Sequence, residues 1–285
     1  MDLVIDLLRE SAINVVQALT YMLIPAVVFL GLGWHFKGRD FLPDLRSALP
    51  ETGLTLKILV FNALFAGPVL AVVITALHSW LVTNDLVLFR PESWASLPTV
   101  LVLFLAVFLA DFFSYWRHRL DHSALLWPAH AVHHSDTHVT WITTNRWHPI
   151  NLLTVHGLVG SAILMMGFPA YAVIFNGMLR GYYGYFIHAD LPFTFGRWGK
   201  YIVSPAMHRW HHSAEEKAFD KNFAEIFCLF DRMFGTYYLP GPCDGPLGVA
   251  DDIQPTLKSQ MSYPLRPSAY ARIVRRAPTS EETAA

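Results

Sequence analysis

The chain is short of charge and almost without cysteine. Only 15% of its 285 residues are Asp, Glu, Lys or Arg, against about a quarter in an ordinary soluble domain, and the net charge is −1. That balance argues against nucleic acid or any other strongly charged partner. The two cysteines, Cys228 and Cys243, stand in no zinc-ligand spacing and form no disulfide framework. No internal repeat or low-complexity tract is present. The acidic N-terminus lacks the features of a removable signal peptide, so none is expected.

What fills the space is apolar: 53% of residues are hydrophobic and the mean hydropathy is +0.34. Residues 12–33, 58–77 and 97–116 each approach the ~20 apolar residues that a helix needs to cross a bilayer. The third stretch contains one ionisable residue, Asp111, and Pro25 and Pro68 predict kinks in the first two. A fourth region, 150–187, consists of two apolar segments joined at Gly167-Phe168-Pro169 and predicts a helical hairpin. Lys37, Arg39, Arg46 and Lys57 populate one loop and Arg117, Arg119 and Arg146 another, whereas the loop between them has only Arg90. The positive-inside rule puts the two basic loops in the cytoplasm. The expectation is an all-α integral membrane protein with about three transmembrane helices plus a helical hairpin, and a cytoplasmic helical cap carrying a histidine-rich dimetal site. Its parts are N-terminal transmembrane helices (1–96), a histidine-box region (97–240) and a C-terminal cytoplasmic tail (241–285).

Histidine carries the chemistry. Twelve of fourteen lie between His118 and His212, where an even spread would put about five. They are patterned as HRLDH (His118, His122), HAVHH (His130, His133, His134) and HRWHH (His208, His211, His212), with His188 alone between the last two groups. Residues three and four apart share a helix face, so each group aims its imidazoles one way, and the predicted topology puts all of them on one membrane face. Convergent imidazoles with few carboxylates suit iron, zinc, copper or nickel rather than magnesium or calcium. Asp111, Tyr115, His118 and His122 form one helical stripe, on which Asp111 and Tyr115 could receive an imidazole N–H and fix its tautomer. His148, before a span and a proline, is a ligand or a neighbour of the ligands. His138 and His156 are not expected to be ligands, and His35 and His78 lie outside the cluster.

The segments DFFSYWRHRLDH, HAVHHS, NRWHP, FIHAD, SPAMHRWHHS and KNFAEIFCLFDRMFGT together resemble the fatty acid hydroxylase superfamily, which includes sterol desaturases and sphingolipid hydroxylases. The resemblance covers roughly residues 100–238 and departs from the common pattern at Asp190. It implies a non-haem diiron centre using O2 to hydroxylate or desaturate a lipid drawn from the bilayer. The implied iron ligands are His118, His122, His130, His133, His134, His188, His208, His211 and His212; all but His130 and His188 are also expected to be catalytic. Asn222 is implied to lie near them. The same likeness implies an external electron donor of reductase, ferredoxin or cytochrome b5 type, and the chain's modest length suggests a bacterial inner membrane. The alternative class is a histidine-rich metal transporter, although transport sites normally sit near the bilayer midplane.

Overall fold

The computed structural model describes the backbone of residues 2–270, and side chains from residue 12 onward. Among these residues the fold is helical, with no strand and two isolated β-bridges. The first half contains α1 (Asp2–Tyr21), α2 (Leu23–Lys37), α3 (Phe41–Phe61) and α4 (Gly67–Thr83). Two runs, Ala12–Thr83 and Thr99–Asp121, are long and apolar enough to cross a membrane.

The apolar stretch 12–33 is not one straight helix. It breaks at Met22, because Pro25 has no N–H to offer the Tyr21 carbonyl one turn back. Between α3 and α4 the chain widens into a π-turn over Asn62–Ala66, just ahead of Pro68. There the Asn62 amide donates to the Trp147 carbonyl at 2.8 Å, so the kink is also a tie to the histidine region.

Helix α5 (Thr99–Asp121) shows why an apolar sequence can be two-faced. Val102, Ala106, Ala110, Ser114 and His118, spaced four apart, are buried, whereas Val100, Phe104, Trp116 and Leu120 are exposed as a lipid-facing side requires. After α6 (Trp127–His134), the hairpin is formed by α7 (Pro149–Thr154), a π-turn over Val155–Gly160, α8 (Ser161–Met165) and α9 (Ala170–His188). The turn lies at the expected glycine: Gly167 has φ +60°, and a Cβ there would stand 1.7 Å from the Phe89 carbonyl oxygen. The first arm, Pro149–Met165, rises only about 25 Å, less than the ~30 Å hydrocarbon core.

The chain ends with α10 (Pro205–His211), α11 (Leu229–Met233) and α12 (Leu257–Ser262). All of α6 and nearly all of α10 are buried. Prolines at their first turns spare a donor that would have no partner, and the Ser204 hydroxyl caps α10 by accepting from the Met207 N–H. Over its described part, the segment expected to be a tail is not free. Leu257 and Met261 pack on Leu54, Ile58 and Val132, and Tyr263 and Ala269 pack on Trp127 and Ala131, so residues 257–270 roof α6. Residues 271–285 lie outside the described part.

Candidate metal centre

The nine histidines implied as ligands come together in two adjoining groups. His118, His122, His130, His134 and His211 form one, and His133, His188, His208 and His212 the other; within each, one ring nitrogen per residue lies within 4.8 Å of the rest. Helical geometry explains the division. Partners four apart (118/122, 130/134, 208/212) stay in the same group because four residues rotate about 40° past a full turn. His133 and His211, three beyond His130 and His208, fall about 60° short and cross to the other group.

The nitrogen contacts fit metal ligation and do not fit hydrogen bonding alone. His130 Nε2 lies 3.0 Å from His118 Nε2 and 3.2 Å from His134 Nε2; His188 Nε2 lies 3.2 Å from His133 Nε2 and 3.0 Å from His208 Nε2. His118 Nδ1–H donates to the Phe223 carbonyl (2.8 Å), His188 Nδ1–H to Gly184 (2.7 Å) and His211 Nδ1–H to Lys221 (2.7 Å), which leaves a bare lone pair on each Nε2. One lone pair on His188 Nε2 cannot satisfy two neighbours. Nitrogens bound at right angles to one metal at ~2.1 Å would lie about 3 Å apart, as these do. In addition, His133 Nδ1, His208 Nδ1, His211 Nε2 and both His212 ring nitrogens are buried without a hydrogen-bond partner. Burial, reinforced by neighbouring imidazoles, pushes His130, His133, His134, His208 and His212 well below the ordinary histidine pKa; burial and then His122 do the same for His211. Neutral rings with free nitrogens are the form that metal ligation requires.

The orienting groups are not those expected from the α5 stripe. Asp111 lies seven residues, about 10 Å, below His118 along the helix. Its carboxylate is already occupied by the backbone N–H groups of Glu225, Ile226 and Phe227 and by Arg180 at 3.1 Å. The Tyr115 hydroxyl pairs with Thr236 Oγ1 at 2.9 Å. Neither receives an imidazole N–H; the carbonyls of Lys221 and Phe223 take that role. Their loop is held by Asp231, which accepts from Phe223 N (2.8 Å), Ala224 N (3.0 Å) and Thr236 Oγ1 (2.7 Å). Asn222, at φ +60°, donates to the Met207 and Tyr238 carbonyls and accepts from Tyr238 N. It therefore steadies the loop without touching a metal group.

His148 stands outside both groups. It caps α7, accepting from Ile150 N at 3.2 Å, and its Nε2–H donates to the Met261 carbonyl at 3.2 Å. Asp190 is tied to Lys37 and, at 3.1 Å, to Arg209.

Two networks were not foreseen from the sequence. Arg146, fully buried, donates from Nε to Val132 O (3.0 Å), from one terminal nitrogen to Ser135 Oγ (2.9 Å) and from the other to Glu51 (2.5 Å), closing the C-terminal end of α6. Arg117 pairs with Asp121 (2.8 Å), whose carboxylate also receives Asn151 and Thr154 at 3.3 Å. The arginine in NRWHP and the Arg117/Asp121 i,i+4 pair, whose arginine immediately precedes HRLDH, were the available signals. A cavity of about 790 Å³ begins at His118, His133, His188 and His208 and runs along α9.

Nine clustered imidazoles able to hold metal, on a helical frame with apolar spans, point to a class of membrane-associated proteins, and the comparisons narrow it. The Fatty acid hydroxylase family model matches residues 103–236, the stretch that supplies all nine histidines. By that match this region of the chain belongs to the fatty acid hydroxylase family. The chain is 28% identical to ornithine lipid hydroxylase OlsE of Rhizobium tropici over 192 residues, 67% of this chain and 57% of that protein. It is 28% identical to alkylglycerol monooxygenase of Danio rerio over 228 residues (78% and 47%), and 27% identical to a Delta(7)-sterol 5(6)-desaturase of Gibberella zeae over 143 residues (48% and 37%). The chain thus spans about half the length of the curated relatives it matches. No solved structure matches it.

Proposed function

We propose that this protein is a membrane-bound, O2-dependent diiron oxygenase that inserts oxygen into a C–H bond of a lipid. The observation that carries the reading is the pair of buried, neutral imidazole groups opening onto one cavity. The relatives are named for lipid hydroxylation, monooxygenation and desaturation, all of which oxidise C–H bonds. His118, His122, His130, His134 and His211 would hold one iron, and His133, His188, His208 and His212 the other. Bound iron supplies with O2 an oxidant for an unactivated C–H bond that no side chain provides.

What the chain contributes is position and dryness. The carbonyls of Phe223, Lys221 and Gly184 set the tautomers of His118, His211 and His188. The buried helices α6 and α10 keep water from the site, and the cavity admits substrate. Hydroxylation consumes O2, two electrons and two protons per oxygen inserted and releases one water, so we assign an external reductase, ferredoxin or cytochrome b5 type donor. We also propose three spans and a hairpin with the metal groups at the cytoplasmic face of a bacterial inner membrane, residues 97–240 being the catalytic region. Iron-loaded protein given lipid extract, O2 and reductant should yield a lipid heavier by one oxygen atom. A product lighter by two hydrogens would reassign it as a desaturase. Neither product from protein with reducible bound iron would refute the reading.

A further inference from the structure

Residues 196–204 and 226–234 stand before and after the histidine-bearing helix α10 and lie together along α5. The centre of the Phe227 ring is 6.0 Å from that of Phe104 and 5.5 Å from that of Phe108. Phe230 lies 5.2 Å from Phe108, and Ile202 bridges to Phe227. With α5 read as a span, Thr99 to Arg119 rises about 30 Å, the thickness of a hydrocarbon core. Arg119 then marks the headgroup level on the metal side, and Phe108 lies about 16 Å deeper. The two segments follow α5 down from that level into the bilayer.

Non-helical backbone at such depth must have its N–H groups satisfied inside the protein. Asp111 accepts those of Glu225, Ile226 and Phe227. The Ile226 carbonyl accepts from Val203 N at 2.9 Å, and the Tyr201 carbonyl from Cys228 N at 3.0 Å. A loop in water would need none of this, so the buried Asp111 has a use that the metal centre does not give it.

What the segments turn outward is apolar and basic. Trp198, Tyr201, Ile202, Leu229 and Met233 are exposed, Met233 to 63%. Arg197 lies over the Trp198 ring at 5.3 Å, and Lys200 and Arg232 lie over Tyr201 at 5.1 and 6.0 Å. Arg119, over Trp116 at 5.5 Å, continues the basic row onto α5. Among the described residues none of these four cations is paired with a carboxylate; Arg232 reaches only the Lys200 carbonyl and Arg119 the Tyr115 hydroxyl. Asp231 is the one acid in either segment, and it is buried and occupied by three donors.

We propose that residues 196–204 and 226–234 form a wedge seated in the leaflet on the metal side, where Arg197, Lys200 and Arg232 bind the phosphate of an anionic phospholipid. Exposed aromatic and aliphatic side chains rimmed by cations of one sign fit a lipid surface. Each Lys or Arg near an anionic membrane adds roughly fivefold to affinity. Seated there, the wedge holds α10, with His208 and His211, at the level of the head groups. The inference rests on α5 being a span and is independent of the oxidation reading.

The test titrates the full chain in non-ionic detergent with dioleoylphosphatidylglycerol or dioleoylphosphatidylcholine, and native mass spectrometry counts the bound lipid. Phosphatidylglycerol should bind at least about tenfold more tightly. The triple variant Arg197→Gln, Lys200→Gln, Arg232→Gln should erase most of that ratio. Removing as many charges from the other basic loop, with Arg39→Gln, Arg46→Gln and Lys57→Gln, should leave it. Equal affinity for the two lipids, or a ratio that survives the first triple variant, overturns the anionic site. Depth is read separately in nanodiscs, from a fluorophore on Met233→Cys or on Phe104→Cys; the two native thiols are buried. Lipids brominated in the acyl chain should quench both labels. Quenching at 104 alone, with 233 open to aqueous iodide, overturns the wedge and leaves the span standing. Quenching at neither overturns the span and the wedge together. A dimer that crosslinks through Met233→Cys would give this face to a second copy and overturn the proposal.

Discussion

Replacing Asp231 with asparagine separates the two metal groups. The Asp231 carboxylate accepts three hydrogen bonds, from Phe223 N, Ala224 N and Thr236 Oγ1. An amide has one acceptor oxygen, so Oδ1 keeps Phe223 N and Thr236, and the new NH2 faces the Ala224 N–H. One bond to a charged group is lost and two are weakened, a loss of about 2–4 kcal/mol of folding stability. The loop so loosened carries the carbonyls that fix His118 and His211, both in the five-histidine group. Loss of such an orienting partner typically lowers metal affinity by about 10- to 100-fold. In the four-histidine group, His188 is oriented by Gly184 inside its own helix and does not depend on this loop. Asp231→Asn should therefore fall from about two irons per chain toward about one under a graded chelator challenge, with elemental mass spectrometry as the readout. Wild-type retention of both metals, or their simultaneous loss, would refute this division of labour.

Other perturbations follow from the same contacts. Arg146→Ala strips the Val132 carbonyl, Ser135 and Glu51 of their donor and leaves Asp136 buried 3.9 Å from the missing guanidinium; it should cost about 3–5 kcal/mol in detergent-based unfolding, and stability unchanged within 1 kcal/mol would contradict the role. His148→Ala should keep full metal content, because His148 caps α7 and belongs to neither group; loss of a metal would show that it is a ligand. Acid should destabilise the metal-free protein steeply. The folded histidine pKa values are depressed, so below the ordinary 6.5 the unfolded chain takes up protons that the folded chain refuses. Each such ring contributes up to about 1.4 kcal/mol per pH unit, with stability complete above 6.5 and lost on descent. A flat unfolding profile between pH 7 and 5 would show that the rings are not held neutral.

Much of the site could be read from residue order, because imidazole spacing on a helix is a local property. His118/His122, HAVHH and HRWHH converge as their i,i+3 and i,i+4 relations require, and Gly167 turns the hairpin where expected. What escaped was tertiary or carried by the backbone. The carbonyls of Phe223 and Lys221 have no residue signature, since every residue has a carbonyl. Asp111 looked like an imidazole partner because it shares a face of α5 with His118, but its actual partners are amides more than a hundred residues away. Residues 257–270 fall within the expected tail (241–285), yet Leu257, Met261 and Tyr263 pack in clusters with residues of α3 and α6, a tertiary contact that residue order does not signal. The break at Met22 was legible only as a kink at Pro25.

The central claim is a pair of irons held by nine imidazoles. Elemental mass spectrometry of the detergent-purified chain, with Mössbauer spectroscopy on material grown in iron-57, tests it most directly. Two irons per chain behaving as a coupled pair, each lost separately when His130→Ala or His212→Ala removes a ligand from one group, is the predicted result. Stoichiometric zinc that iron cannot replace with gain of lipid-oxidising activity would contradict it.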